Sequence, residues 1–287
     1  MNILITGANG QLGSEFKEIQ KKEKQHHFYL TDLEELDITN FIGVNKYINE
    51  NNIDVIINCA AYTAVDQAED EPKIAQKINV LGPEILAKSA AKNACKLIHI
   101  STDYVFDGNK NTPYTENDIV SPLGVYGSTK YQGEQMLISS KAEAIVIRTS
   151  WLYSSYGNNF VKTMMRLGKE KENLKVVYDQ IGTPTYAHDL ALAIIKIINS
   201  GKKLNGKRSI YHFSNHGVAS WYDFAFNIME IANIDCYISP IESKDFPTKT
   251  VRPFYSVLNK SNIIKDFDIK IPYWKDSLAV CIKRMKK

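Results

Sequence analysis

A chain of 287 residues, 44% hydrophobic and 23% charged, has material for one large or two modest cores and the composition of a soluble globular protein. Its net charge of +3 comes from scattered lysines; the runs Lys21, Lys22, Lys24 and Lys283, Arg284, Lys286, Lys287 read as solvated helix faces, which excludes nucleic acid as a partner. No signal-like segment precedes the first apolar run, no run approaches the ~20 residues of a bilayer span, and Cys59, Cys95, Cys236 and Cys281 lack metal-ligand or CxxC spacing, so the expectation is a cytoplasmic protein with Cys59 and Cys95 as reduced core thiols, no membrane partner and no metal.

In chain order, the apolar run Ile3-Leu4-Ile5 reads as a strand that ends in Gly7, Gly10 and Gly13, and Leu12, Phe16 and Ile19 then follow at helical spacing. A strand turning sharply into a helix offers backbone N–H groups and the positive end of the helix dipole to an anion. Glycines there permit the tight turn and close approach of a pyrophosphate. Phe28–Thr31 is the second strand. Asp32, which follows it, lies near the offset of the acid that binds an adenosine ribose; Asp37 competes for that role, and either could instead cap the helix carrying Phe41, Val44 and Ile48. No arginine precedes Arg148, which leans toward NADH over NADPH.

Asp54–Ala61 is a buried-strand run ending in the small residues Ala60 and Ala61, and an alanine-rich helix is expected over 72–93. Lys96–Thr102 is a strand tipped by two hydroxyls and Asp103. A helix opening at Gly124 carries Tyr126 and Lys130, and Ala144–Arg148 is a further strand. This alternation predicts an α/β fold, a Rossmann-like doubly wound parallel sheet whose motif loops share one edge. Residues 1–150 are read as the dinucleotide-binding domain, with 175–215 packing back on it, and 151–174 with 216–287 as a smaller C-terminal α/β substrate-binding domain. There, helices are expected after Phe160, over 189–198 and over 221–232 with Ser220 as N-cap, strands over 174–177 and 210–213, a turn at Gly182-Thr183-Pro184, and an irregular, aromatic-rich remainder.

Tyr126 and Lys130 stand at i and i+4, on one helix face. A nearby ammonium favours phenolate and would lower the tyrosine pKa toward working pH, so the pair could exchange a proton with a carbonyl oxygen as hydride arrives. Among 16 tyrosines this is the single Tyr–Lys pair at that spacing. Thr102, at a strand tip beside the tyrosine, could stabilise the developing alkoxide, and Lys130 could also hold the nicotinamide ribose.

Thr6–Gly13 and Asn58–Asp66 together resemble the extended short-chain dehydrogenase/reductases. More narrowly, Ser101–Gly108, Ser121–Gly127, Arg148–Trp151, Gly157–Phe160, Asp179–Thr185 and Arg252-Pro253 resemble the dTDP-4-dehydrorhamnose reductases, over nearly the whole chain. The resemblance implies NADPH- or NADH-dependent reduction of the C4 ketone of dTDP-4-dehydro-L-rhamnose, a step of cell-surface polysaccharide biosynthesis. It implies Tyr126 as proton donor, Lys130 as its pKa modulator and ribose contact, and Thr102 as carbonyl polariser. Asp103 and Trp151 match sugar contacts, and Gly10, Gln11, Leu12, Ala60, Ala61 and Tyr62 match cofactor contacts. Some members dimerise through an acidic magnesium site; Glu15 is in place here, but His188 stands where another acid is expected, so the sequence does not support Mg2+, and a monomer or weak homodimer is expected. The alternatives are a related nucleotide-hexulose reductase, a dehydratase or epimerase, and a non-catalytic nucleotide-binding subunit. Tyr104, where dehydratases carry glutamate, argues against elimination.

Overall fold

The computed structural model describes residues 1–204 and 210–286; Lys287 of the basic C-terminal run, and 205–209 within the segment 175–215, lie outside the described residues. Its centre is a six-stranded sheet. Strands β1 (Asn2–Thr6), β2 (His27–Thr31), β3 (Val55–Asn58), β4 (Lys96–Thr102) and β5 (Glu143–Thr149) are joined at one edge by Ile210–His212. All pairings are parallel, and the spatial order is β2-β1-β3-β4-β5 followed by Ile210–His212.

Alternation along each strand builds two apolar layers. Ile3 and Ile5 of β1 point to one face, with Phe16 of the first helix and Ile194, Ile197 and Ile198 of the helix Ala187–Asn199. Leu4 points to the other, against Val44, Ile48, Leu86 and Ala90 of the helices Phe41–Glu50 and Gly82–Asn93. The sheet is therefore doubly wound, as the run of βα units predicts. A separate cluster joins Tyr153 of the short strand Leu152–Tyr153 to Met164, Phe224, Ile228, Trp274 and Leu278 of the helices Phe160–Glu170, Trp221–Ala232 and Trp274–Met285. The parallel pair Asn173–Val177 and Tyr237–Ile241 lies beside it.

Several local expectations change. The helix over 72–93 is interrupted by a π-helical stretch, Lys77–Leu81. There Asn79, 1% exposed, binds both backbone polar groups of Tyr62 and the Thr129 hydroxyl. A Cβ at Gly133 would sit 2.2 Å from the Asn79 carbonyl oxygen, so this turn and the helix Val125–Ile138 pack backbone to backbone. Gly182-Thr183-Pro184 is a link between two short strand pairs, Ile181–Gly182 with Ala219–Ser220 and Thr185–Tyr186 with Leu152–Tyr153. The irregular remainder contains the helices Ser261–Phe267 and Trp274–Met285; Trp274, Leu278, Cys281 and Ile282 have helical spacing that the surrounding prolines and aromatics mask. The cap of Phe41–Glu50 is Asn40, neither Asp32 nor Asp37. Ser220 caps Trp221–Ala232 as read, in a reciprocal box with Asp223.

Candidate active site

The strand order reverses between β1 and β3, so no crossover covers the crevice beyond Thr6 and Asn58. Gly7 leaves β1 at φ +68°, where a Cβ would lie 2.7 Å from the Ala60 backbone; at Gly13 it would lie 2.3 Å from the Gly7 carbonyl oxygen. The helix Gln11–Ile19 begins at Gly10 with no side chain capping it, which leaves its first N–H groups for an anion. This backbone cradle, closed to any side chain at two points, fits a dinucleotide pyrophosphate. Gly13→Ala should therefore displace the loop and weaken cofactor binding by at least about tenfold, as a loss of ~1.4 kcal/mol or more requires; a fluorescence titration with NADH checks it.

Two adjoining cavities of about 610 and 490 Å³ share Gly7, Gly10, Cys59 and Ala61 and make one groove. The smaller carries Asp32, Asp37, Ala60 and Lys77. Asp32 accepts from the backbone N–H of Asn9 and of Leu33, each at 2.8 Å. Asp37 accepts from both the N–H and the hydroxyl of Thr39, which hold its carboxyl below the usual carboxylate range against the opposing effect of burial. The larger cavity brings together Gln11, Leu12, Gly13, Thr102, Asp103, Tyr126, Lys130 and Trp151. Tyr62 is not among these: its hydroxyl donates to Glu71 at 2.6 Å, so only its backbone position, fixed by Asn79, bears on the groove. Cys59, read as a core thiol, is half-buried and lines the groove.

Thr102 and Asp103 sit where β4 ends, 5% and 2% exposed. The Thr102 hydroxyl lies 3.0 Å from Asp103 Oδ1, accepts from the Tyr104 N–H at 3.2 Å, and is hydrogen-bonded to the Tyr126 phenol. Burial pushes the Tyr126 pKa up, the Thr102 contact opposes this, and the neighbouring Asp103 and Tyr104 add to the rise. The phenol is thus held as the protonated form. That reverses the direction expected from Lys130, whose ammonium turns elsewhere: Nζ donates to the Ile100 carbonyl at 2.6 Å and lies 3.3 Å from His99 Nε2.

His99 explains part of this setting. Asn58 Oδ1 accepts from the Thr6 hydroxyl at 2.7 Å and the Ala60 N–H at 3.1 Å, which turns its amide nitrogen to His99 Nδ1 at 2.9 Å. That network assigns the imidazole proton to Nε2, facing Lys130. Burial, with the adjacent ammonium, keeps His99 neutral, and burial pulls Lys130 down to about 8.

Trp151 holds a left-handed backbone, φ +47°, and stacks on Trp221 with ring centroids 3.6 Å apart at 7°. A Cβ at Gly182 would lie 2.5 Å from its indole, so that glycine makes room for the ring. Trp221, Asn158, Asn159 and Thr149 also line the groove and were not singled out from the sequence. Asn159 donates to the Gln11 side chain at 3.0 Å, tying this wall to the glycine loop. Asn158, Asn159 and Thr149 lie in the segments Gly157–Phe160 and Arg148–Trp151 that carry the resemblance, which gives them no role; nothing in the sequence points to Trp221.

Glu15 is engaged inside the chain. Burial raises its pKa, but hydrogen bonds from His188, Ser154 and Arg284 outweigh it and hold the carboxylate ionised. Arg284, from the C-terminal helix, pairs with it at 2.9 Å. Among the described residues no group of His, Cys, Asp and Glu is arranged to hold a metal ion, and no helix among them is long and apolar enough to cross a membrane.

Comparison with known proteins gives the same picture from another direction. The chain is 42% identical over 286 residues to the dTDP-4-dehydrorhamnose reductase of Aggregatibacter actinomycetemcomitans, covering 96% of each. A dTDP-4-dehydrorhamnose reductase from Clostridium acetobutylicum superposes with a TM-score of 0.94 at 44% identity, over 100% of both chains. The enzyme of that name from Bacillus anthracis, solved in complex with NADP, gives 0.92 at 41% over 99% of both. The family described as the RmlD substrate binding domain matches residues 1–287, and the chain belongs to that family.

Proposed function

We propose that this protein reduces the C4 ketone of dTDP-4-dehydro-L-rhamnose to dTDP-L-rhamnose with NADH or NADPH. The observation that carries the reading is the meeting of the Thr102 and Tyr126 hydroxyls in the same groove that Gly7, Gly10 and Gly13 floor. A bound reduced nicotinamide supplies the hydride; the remaining requirements fall on side chains. Tyr126, kept protonated by burial, gives its proton to the ketone oxygen. Thr102 donates a second hydrogen bond to that oxygen as charge develops. Lys130, anchored on Ile100, holds the nicotinamide ribose and offsets the phenolate that forms. Asp103 and the Trp151–Trp221 wall receive the sugar, and Gln11, Leu12, Ala60, Ala61 and the Tyr62 backbone border the cofactor. In this reading residues 1–150 with 175–215 serve the dinucleotide, and 151–174 with 216–287 serve the nucleotide sugar. The engagement of Glu15 inside the chain supports a monomer or weak homodimer.

The test is loss of the reduced-nicotinamide absorbance on adding dTDP-4-dehydrorhamnose, run beside other nucleotide-4-ketosugars. Cofactor binding without oxidation in any of them would favour a non-catalytic subunit instead.

Asp32 makes a further outcome readable. Its carboxylate is pinned by two N–H groups at the adenosine end, where a 2′-phosphate would meet a like charge, and among the described residues Lys77 is the one cation lining that cavity. NADH should be preferred by about tenfold in kcat/KM, a modest share of what like-charge juxtaposition costs, and Asp32→Ser should narrow the ratio. Equal use of both cofactors by the wild type would remove Asp32 from this role.

A further inference from the structure

The reading of Thr102 as the second donor to the ketone meets an accounting problem. A hydroxyl has one hydrogen. Facing an ionised Asp103, the Thr102 hydrogen would be drawn to Oδ1, 3.0 Å away, because a charged acceptor outcompetes a neutral one. The ketone would then face only a lone pair. Asp103 itself is poorly equipped to stay ionised: it is 2% exposed, and its second oxygen, Oδ2, is buried without a hydrogen-bond partner.

The groups around it do not supply a counter-charge. From its own turn come the N–H groups of Asp103 and Tyr104 and the neutral Tyr104 phenol; from the segment after Arg252 comes the Ser256 hydroxyl; from the helix Val125–Ile138 comes the Tyr126 phenol. The nearby cations are engaged elsewhere. Arg252 pairs with Asp66 at 2.6 Å and reaches the Tyr104 hydroxyl at 3.3 Å, and Lys130 is held on Ile100. Burial accordingly raises the Asp103 pKa to about 6, with Ser256 and Thr102 opposing. Filling the groove removes more solvent, and that loss acts in the same direction.

We propose that Asp103 is a positioning residue that acts as the neutral acid: it donates to Thr102 Oγ1 and so turns the one Thr102 hydrogen toward the ketone oxygen. This rests on the role of Thr102 given above. The active form is the protonated one, so kcat is full below the Asp103 pKa and is lost as pH rises through it. Two other groups titrate away from this limb: Tyr126 remains protonated well above it, and Lys130 lies near 8.

The experiment is the pH profile of kcat with saturating NADH and dTDP-4-dehydrorhamnose. The wild type should lose about tenfold per pH unit along one limb beginning at or above pH 6. In Asp103→Asn the amide donates to Thr102 at every pH, so that limb should disappear and leave only the one set by Lys130, whatever the absolute rate. An unchanged limb, or an Asp103→Asn protein that binds NADH yet turns over at no pH, overturns the inference. Thr102→Val supplies an independent reading, since it has no hydrogen to orient: kcat should fall and the Asp103 limb should vanish with it. A slow Thr102→Val enzyme that keeps the limb overturns the role of Asp103 alone, whereas one with wild-type rate overturns the role of Thr102.

Discussion

Tyr126→Phe should lower kcat by about 10²–10⁴-fold, the range that a positioned general acid contributes, while the affinity for NADH stays within about twofold. The replacement removes one oxygen from a ring that stands edge-on to Tyr104 at 5.6 Å, so packing is retained and the loss is chemical. Burial makes the effect large: the phenol is held protonated well above the working range. Stopped-flow measurement of single-turnover NADH oxidation, beside a binding titration, separates the two quantities. Near-normal turnover in the variant would sink the assignment.

The second large effect lies behind the site. Arg148 on β5 and Glu134 on the helix Val125–Ile138 form a two-pronged pair, Nε to Oε1 at 2.9 Å and Nη2 to Oε2 at 2.7 Å, with both side chains 1% exposed or less. Ser101 of β4 donates to the same carboxylate at 2.5 Å, and the guanidinium lies over the Phe106 ring. Removing one partner strands a buried charge and should destabilise the protein by about 3–5 kcal/mol, a fall in Tm on the order of 10 °C for a chain of this size. Arg148→Met or Glu134→Leu alone should each show it, and the double variant should recover part of the loss, because two apolar groups leave no charge unpaired. Differential scanning calorimetry reads all three. A double variant no better than the worse single one would refute the account. The pair joins the strand that carries Thr102, the helix that carries Tyr126 and Lys130, and the edge of β5, so kcat in the single variants should fall as well.

Neither residue of that pair was legible as a partner of the other. Arg148 stands out as the first arginine in the chain, whereas nothing in the sequence marks Glu134; only the register of β4 against β5, Ser101 beside Arg148, sets them around one buried point. The same holds for His99, whose tautomer depends on Asn58 and Thr6 from two other strands, and for Trp221, which meets Trp151 across 70 residues of sequence. Lys130 is the instructive case. Helical spacing put it on the same face as Tyr126, yet the ammonium donates to the Ile100 carbonyl, since a buried cation settles where an acceptor already exists.

What the amino-acid sequence determined by itself was local and periodic. Strand runs, helix stripes, the glycines whose missing Cβ atoms make the cradle, and the order of Thr102, Tyr126 and Lys130 along βα units all follow from short-range sterics and the side on which side chains emerge. Those rules also imply that successive strand tips share an edge, so the chain order alone brings the glycine loop and the hydroxyls together. Protonation, hydrogen-bond direction and the groove wall were decided only by the tertiary structure. Each depends on which groups from distant segments exclude water around a given atom, and desolvation is a property of the packed assembly that no stretch of chain carries alone.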